Sequence, residues 1–339
     1  MHPNGKQALS MTAAARSFLS GPSGGIVFIL IAMFGISIND VVIKSLSGAY
    51  PLHQMVFVRS GIGLLFSLVL VHFEGGWNIL RTDRPWLHLL RAFMLVVANM
   101  TYFTAIAVIP LADATALFFV SPLFITLMSV PFLGEKVGWR RMGAVLVGLL
   151  GVVVILAPGS ESGANLASRW ILLMPVAAAF AYASTTILTR KLGVTSKASA
   201  LSVYIQAAFI VVGLGFFIIA GDGRYAEGYE HESIIFLLRA WSWPQGSDIW
   251  LFLLLGLLST IVGYSMSQAY RLGDAATIAP FEYSLLPMAM IWGFVIFGTL
   301  PGVNASIGIG LILASGIYVF WRQRVLDQTQ RGDLPNRRG

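Results

Sequence analysis

Apolar residues fall into ten long blocks along the chain, roughly 26–46, 54–73, 89–109, 113–133, 139–157, 170–190, 200–220, 249–270, 275–298 and 303–321. A helix needs about 20 predominantly apolar residues to cross the hydrocarbon of a bilayer, so the pattern predicts an all-α integral membrane protein with ten transmembrane helices. Most connections are short. Pro110–Leu111–Ala112 and Leu300–Pro301–Gly302 are little more than turns, which makes the helices they join antiparallel neighbours. The exception is 221–248, rich in Asp, Glu, Trp and Gly, which is expected as an outer loop with Trp241, Trp243 and Trp250 at the membrane interface, where indoles settle.

Order and spacing point to an internal repeat. Ala32–Leu46 laid over Ala178–Leu192 pairs Phe34 with Phe180, Gly35 with Ala181, Asn39 with Thr185, Asp40 with Thr186 and Lys44 with Arg190. Further on, Tyr102 meets Tyr264, Ala107 meets Ala269, Thr115 meets Thr277 and Phe119 meets Phe281, and later Gly134 meets Gly298. Span one thus matches six, three matches eight and four matches nine. With five spans per half, the halves enter the membrane in opposite senses. That is an inverted-topology repeat, in which a midplane site at the repeat interface alternates its access. The expected organisation is a tail over 1–24, a first five-helix repeat over 25–160, a second over 168–322 that includes the outer loop, and a basic tail over 323–339.

Composition agrees with lipid as the solvent: 57% hydrophobic, 11% charged, with a mean hydropathy of +0.79. Soluble domains run nearer a quarter charged. The formal charge of +7 follows the topology. With the N-terminus inside, seventeen of the 22 basic residues lie on cytoplasmic segments, leaving Lys44, Arg59, Arg169, Arg224 and Arg239 toward the outside. The positive-inside rule therefore places both termini in the cytoplasm, in an inner, cytoplasmic membrane, and the basicity implies no nucleic-acid partner. The first 24 residues lack the basic, apolar and cleavage-site order of a signal peptide. The absence of cysteine excludes a disulfide framework, a thiolate metal site and a Cys nucleophile. No Walker A, HExxH or GxGxxG segment occurs, which argues against ATP-driven transport, and no metal or cofactor is expected. Gly21–Gly25 has the glycines of a nucleophile elbow without its strand–turn–helix setting or a partner histidine.

The segment ALFFVSPLFITLMSVPFLGEKVGWRRMGAVLVGLLGVVVILAPG (Ala116–Gly159) resembles the first-half signature of EamA-type proteins of the drug/metabolite transporter superfamily. The shared features are a Ser-Pro in span four, a Gly-Glu-basic turn and a Gly-rich fifth helix. APFEYSLLPMAMIWGFVIFG (Ala279–Gly298) is similar to its second-half counterpart. The resemblance covers essentially Ile26 to Phe320 and implies a transporter of small organic compounds, among them amino acids, nucleotide-like metabolites, vitamins and drugs. One departure stands out: the family's second-half turn usually carries Glu, and here Thr299 follows Gly298, whereas Glu135 is kept in the first half.

Charges inside a span normally face a cavity or a partner. Asp40 lies about 9 Å from the outer end of span one at 1.5 Å per residue. Lys44 is one turn away on the same face, and Arg59 stands five residues into span two. Two readings follow. The three form an ion-pair cluster tethering spans one and two, with Lys44 snorkelling outward. Alternatively, Arg59 receives a substrate carboxylate through its planar fork while Asp40 holds an amine or relays a proton. Glu282, about 10 Å inside the inner end of span nine, is a second proton-coupling candidate or, on the structural reading, a helix-to-helix hydrogen bond. Pro122, Pro280 and Pro287 interrupt spans four and nine and are candidates for kinks or gating, since each removes a backbone bond. Asn99, Tyr102, Tyr182, Tyr264, Gln268 and Trp292 supply the polar and aromatic lining expected of a cavity for a partly apolar solute. Gly143, Gly148, Gly151, Gly308 and Gly310 predict close packing of spans five and ten, as a scaffold or a homodimer contact.

The expected function is a secondary transporter, specifically an exporter, of a small organic metabolite, with an amino acid or related zwitterion favoured. A membrane-embedded lipid-modifying enzyme would need a nucleophile, base or metal cluster at one membrane level, and none can be assembled. A non-transporting scaffold gains nothing from charges held inside the membrane.

Overall fold

The computed structural model describes residues 22–82, 84–134, 137–157, 169–192, 198–272 and 278–332. Their regular structure is helical. In chain order the elements are α1 (Pro22–Leu46), α2 (Leu52–Glu74), a 3₁₀ turn (Trp77–Leu80), α3 (Pro85–Ile106), α4 (Leu111–Phe118), α5 (Ser121–Leu133), α6 (Trp139–Leu156), α7 (Arg169–Leu192), α8 (Ala198–Ala220), α9 (Glu232–Leu238), α10 (Asp248–Leu272), a second 3₁₀ turn (Ala279–Ser284), α11 (Leu285–Phe297) and α12 (Val303–Gly332).

The described residues of the apolar blocks are mostly helical, and not every helix has the length and composition of a span. Seven segments are long and apolar enough to cross a bilayer: Gly24–Leu46, Leu52–Phe73, Pro85–Ile106, Leu111–Leu133, Trp170–Thr189, Ser199–Ala220 and Asp248–Met266. The expected spans five, nine and ten appear as shorter apolar helices, Met142–Leu156, Phe281–Phe297 and Val303–Val319. α6 itself opens at Trp139, a 3₁₀ turn precedes α11, and α12 runs on in helix through Gly332. The basic tail expected from 323 thus begins as a continuation of α12.

Span four is two helices. After Phe118 the backbone turns at Phe119 and Val120, and α5 begins with Pro122 at its amino end. Proline has no amide hydrogen, and at that position none is required. Span nine is broken in a similar way, with a 3₁₀ turn before α11. The two breaks touch: the rings of Phe119 and Tyr283 stack with centroids 4.9 Å apart. Both helices that follow end on a left-handed glycine, Gly134 (φ 70) after α5 and Gly298 (φ 64) after α11, a backbone state that favours residues without a Cβ. At Thr299, where the family pattern has Glu, the amide and hydroxyl both donate to the Gly293 carbonyl, at 2.9 and 3.2 Å, so this residue closes the end of α11. Glu135 lies outside the described residues.

The helices pack in pairs: α6 with α12, α1 with α10, α2 with α8, α3 with α7 and α4 with α11. Small residues set the closest pair. A Cβ on Gly151 would stand 2.8 Å from the Gly308 carbonyl oxygen, and one on Gly148 only 2.4 Å from Ser315 Oγ. The small-residue faces of spans five and ten are therefore joined to each other within the chain, as a scaffold, while Gly143 and Gly310 meet no atom within 4 Å. Apolar side chains also cover the outside, among them Leu65, Leu150, Val211 and Ile218, each more than half exposed, as expected of faces turned to lipid.

The 221–248 segment is more structured than a loop. It contains α9 and is stitched over the α1–α2 turn. Tyr50 donates to Asp248 at 2.8 Å and accepts from the Gln245 amide at 3.0 Å, and Arg239 donates to the Gly48 carbonyl. Trp243 and Trp250 are exposed. Trp241 departs from the interface expectation: its ring packs on Phe217, Phe57 and His53, with centroids 4.5, 5.3 and 5.9 Å away, because the segment folds back onto α2 and α8.

Candidate functional site

The polar residues of α1, α2, α3 and α4 converge in the interior. Asp40 is 3% exposed and Arg59 7%. Tyr102 Oη donates to Asp40 Oδ2 at 3.1 Å, and Asn39 Nδ2 approaches the other carboxylate oxygen at 3.4 Å. Thr115 Oγ1 lies 3.2 Å from Tyr102 Oη and also hydrogen-bonds the Leu111 carbonyl, at 2.7 Å. A Tyr hydroxyl has one donor; with that donor on Asp40, Tyr102 Oη can still accept from Thr115 Oγ1. Three helices thereby fix the position of one carboxylate.

Arg59 is held separately. One terminal nitrogen donates to Asn99 Oδ1 at 2.9 Å, and the guanidinium lies 5.5 Å from the ring centroids of both Phe103 and Phe209. A guanidinium is attracted to such aromatic faces. Asp40 and Arg59 make no ion pair within 4.0 Å and act on each other through space. Among the described residues no acceptor meets the remaining donors of the Arg59 fork, which leaves it with recognition capacity for a planar anion. The tethering ion-pair cluster of the first sequence reading is thus not formed.

Lys44 does not snorkel. Its ammonium donates to the Ile106 carbonyl and, at 2.8 Å, to the Ile109 carbonyl, with Phe297 5.4 Å away. The end of α3 has orphan carbonyls, and a cation at a helix carboxyl end answers both them and the helix dipole.

The other candidates divide. Trp292 Nε1 donates to Ser37 Oγ at 3.1 Å, one turn before Asp40 on α1. Tyr182 joins the Asp40 cluster through Phe118, whose ring lies between those of Tyr102 and Tyr182. Glu282 is half-buried on the 3₁₀ turn, within electrostatic reach of Tyr182 and Tyr283. Tyr264 and Gln268 are not brought to the cluster: they bond each other at 2.9 Å on an exposed face of α10, with Phe28 against Tyr264. Pro122 and Pro287 lie at the starts of α5 and α11, and Pro280 near the start of the 3₁₀ turn. Sequence reasoning passed over Ser37, Phe118 and the buried Asp113 in the first turn of α4. It also counted Arg91 only as a cytoplasmic charge, whereas its Nε donates to Thr189 on α7 at 2.7 Å.

No group of three or more His, Cys, Asp or Glu that could hold a metal occurs among the described residues. What the geometry offers is a buried carboxylate on α1 and a buried guanidinium on α2, bordered by aromatic rings of α3. Such an arrangement can bind a solute.

The EamA-like transporter family matches residues 23–157. A riboflavin transporter of Rhizobium johnstonii is 28% identical, over 87% of this chain and 90% of its own length. An S-adenosylmethionine uptake transporter of Rickettsia felis is 25% identical, over 93% and 97%. A pseudopaline exporter of Pseudomonas aeruginosa is 27% identical, over 91% and 97%. A solved crystal structure with 19% identity shares the fold at a TM-score of 0.60, covering 89% of this chain and 99% of that one. Residues 23–157 match a transporter family and the relatives that span nearly the whole chain are transporters: the protein is a multi-pass membrane transporter, not an enzyme.

Proposed function

We propose that the protein is a secondary transporter of a small organic metabolite, with an amino acid or related zwitterion favoured, working by alternating access around a midplane cavity. The observation that carries this reading is the separation of Asp40 from Arg59. Both are buried and each has partners, yet they do not neutralise each other. Holding opposite charges apart inside a membrane is costly, and a solute bearing both charges would offset that cost. Arg59 takes the carboxylate, Asp40 the ammonium, and Asn99, Tyr102 and Trp292 border the solute.

The ten-helix inverted repeat is part of the proposal. Its support is that the helix pairs are unchanged when the halves are exchanged. Spans one and eight become six and three, while two with seven, four with nine and five with ten map onto themselves. The paired breaks in spans four and nine and the paired glycines Gly134 and Gly298 point the same way. The breaks supply hinges, with Pro122, Pro280 and Pro287 beside them. The first repeat runs over 25–160 and the second over 168–322, in the inner membrane, with both termini cytoplasmic. Export is the direction favoured, on the pseudopaline exporter alone; the riboflavin and S-adenosylmethionine relatives widen the solute panel to metabolites with planar rings. Glu282 is the proton-coupling residue, with Asp40 as the second candidate.

The test is the melting temperature of the purified protein across amino acids and related zwitterions, followed by uptake into proteoliposomes. A ligand at 100 times its Kd stabilises the folded state by about 2.7 kcal/mol. A zwitterion is expected to raise the melting temperature of the wild type and not of Arg59→Gln. Equal shifts in the two proteins, or no shift from any zwitterion, would remove the site. Glu282→Gln is expected to flatten the pH dependence of uptake, and an unchanged profile would take Glu282 out of the coupling.

A further inference from the structure

Phe118 is the last residue of α4, where span four breaks. Its ring is 5.2 Å from that of Tyr102 and 5.5 Å from that of Tyr182, tilted 58° and 56°. These are contact separations for aromatic pairs, so the three rings form a continuous apolar bridge. On one side Tyr102 holds Asp40. On the other, Tyr182 lies in the field of Glu282 and Arg91. Arg91 is fixed across the α3–α7 interface by its bond to Thr189, and Thr185 Oγ1 approaches its carbonyl at 3.5 Å. Arg91, Asn99 and Tyr102 are spaced to share one face of α3, with about 16 Å of helix rise between the first and the last. A carboxylate and an arginine therefore stand on each side of Phe118.

The backbone at the break permits motion. Pro122 cannot return an amide hydrogen to the Phe118 carbonyl, so swinging α5 against α4 breaks no bond between those two positions.

We propose that Phe118 is an internal gate between two polar stations on one path, and that Arg91, at the second station, receives the anionic group a solute presents to Arg59 at the first. This rests on the transporter reading and adds a second binding site and a barrier to it. A charged solute cannot pass while the three rings touch; withdrawal of Phe118 joins the stations.

The chain has no cysteine, so single cysteines report access directly, with no need to know the solute. Thr115→Cys sits beside Tyr102, and Thr186→Cys lies one turn from Tyr182 without touching the Arg91–Thr189 bond. In proteoliposomes, a membrane-impermeant thiosulfonate reagent supplied from the Arg91 side is expected to label Thr186→Cys readily and Thr115→Cys slowly. Adding Phe118→Ala is expected to speed labelling of Thr115→Cys at least tenfold, with Phe118→Leu as the milder variant should the alanine form melt too low. Unchanged labelling in whichever variant folds would overturn the gate. For Arg91, the ratio of labelling rates at Thr186→Cys is compared for a sulfonate-bearing and a trimethylammonium-bearing reagent. Arg91→Gln is expected to lower the preference for the anion several-fold, and an unchanged ratio would overturn its role as receptor. Neither readout involves transport, so either can fail while the zwitterion panel succeeds, and the reverse.

Discussion

At the scale of single residues, the sequence marked the important charges but could not assign their partners. Asp40, Lys44 and Arg59 are conspicuous because each interrupts an apolar run, and proximity in sequence suggested a cluster. Partners come from the tertiary fold instead: Tyr102 and Asn39 for Asp40, Asn99 and two phenyl rings for Arg59, the end of α3 for Lys44. Lys44 is 62 residues from the Ile106 carbonyl it caps, a contact no local pattern encodes. The consequence is a division of labour. Lys44→Met keeps the apolar stem and removes the donor, leaving the Ile106 and Ile109 carbonyls without it. A buried group left unsatisfied costs about 1–3 kcal/mol, so this variant is expected to lower the melting temperature while leaving solute affinity within about twofold. A large affinity loss at unchanged stability would place Lys44 in the binding site rather than at a helix end.

At the scale of elements, legibility tracked covalent punctuation. Glycine and proline declare themselves in sequence, so the ends of α5 and α11 at Gly134 and Gly298 and the break near Pro122 were readable as positions. The 3₁₀ turn ahead of α11 was not, because a window of apolar residues does not reveal where the helix type changes. Trp241 was misplaced for another reason: an aromatic in a polar segment reads as interfacial until the segment is seen to fold back. The two glycine caps give a matched test of the repeat. With φ of 70 and 64, each disfavours a Cβ, and neither has a neighbouring atom within 4 Å of where one would stand. Strain alone therefore sets the effect. Gly134→Ala and Gly298→Ala are each expected to destabilise by about 1 kcal/mol, nearly equally, measured by thermal or denaturant unfolding in detergent. A difference of several-fold would mean that the two turns, alike in backbone, carry different loads in the two halves.

At the scale of the whole molecule, the helical membrane fold was written in block lengths and composition, since lipid imposes its constraint on every span at once, and the transporter character in the resemblance of Ala116–Gly159. The site was only partly written there: Tyr264 and Gln268 satisfied the same criteria as Tyr102 and Asn99 yet lie on an exposed face, because midspan depth does not fix which way a helix face turns. Orientation in the membrane is the remaining global property, and it rests on the seventeen-to-five division of basic residues. It can be tested without any background, since the chain has no cysteine. Single cysteines at Gly138 and Gln328 are expected to react with impermeant reagent only from the cytoplasmic face, and one at Gly228 only from the opposite face. The three positions are not redundant. Gly138 lies between spans four and five, Gly228 between seven and eight, and Gln328 after ten, so the expected pattern requires an odd number of crossings from the first to the second and from the second to the third. External labelling at Gly138 would reverse the sense of the first half and with it the inverted repeat. Labelling at Gly228 from the cytoplasm would instead leave the first half intact and mean that one of the helices between Gly138 and Gly228 does not cross, which would break the five-plus-five symmetry that the proposed alternating access requires.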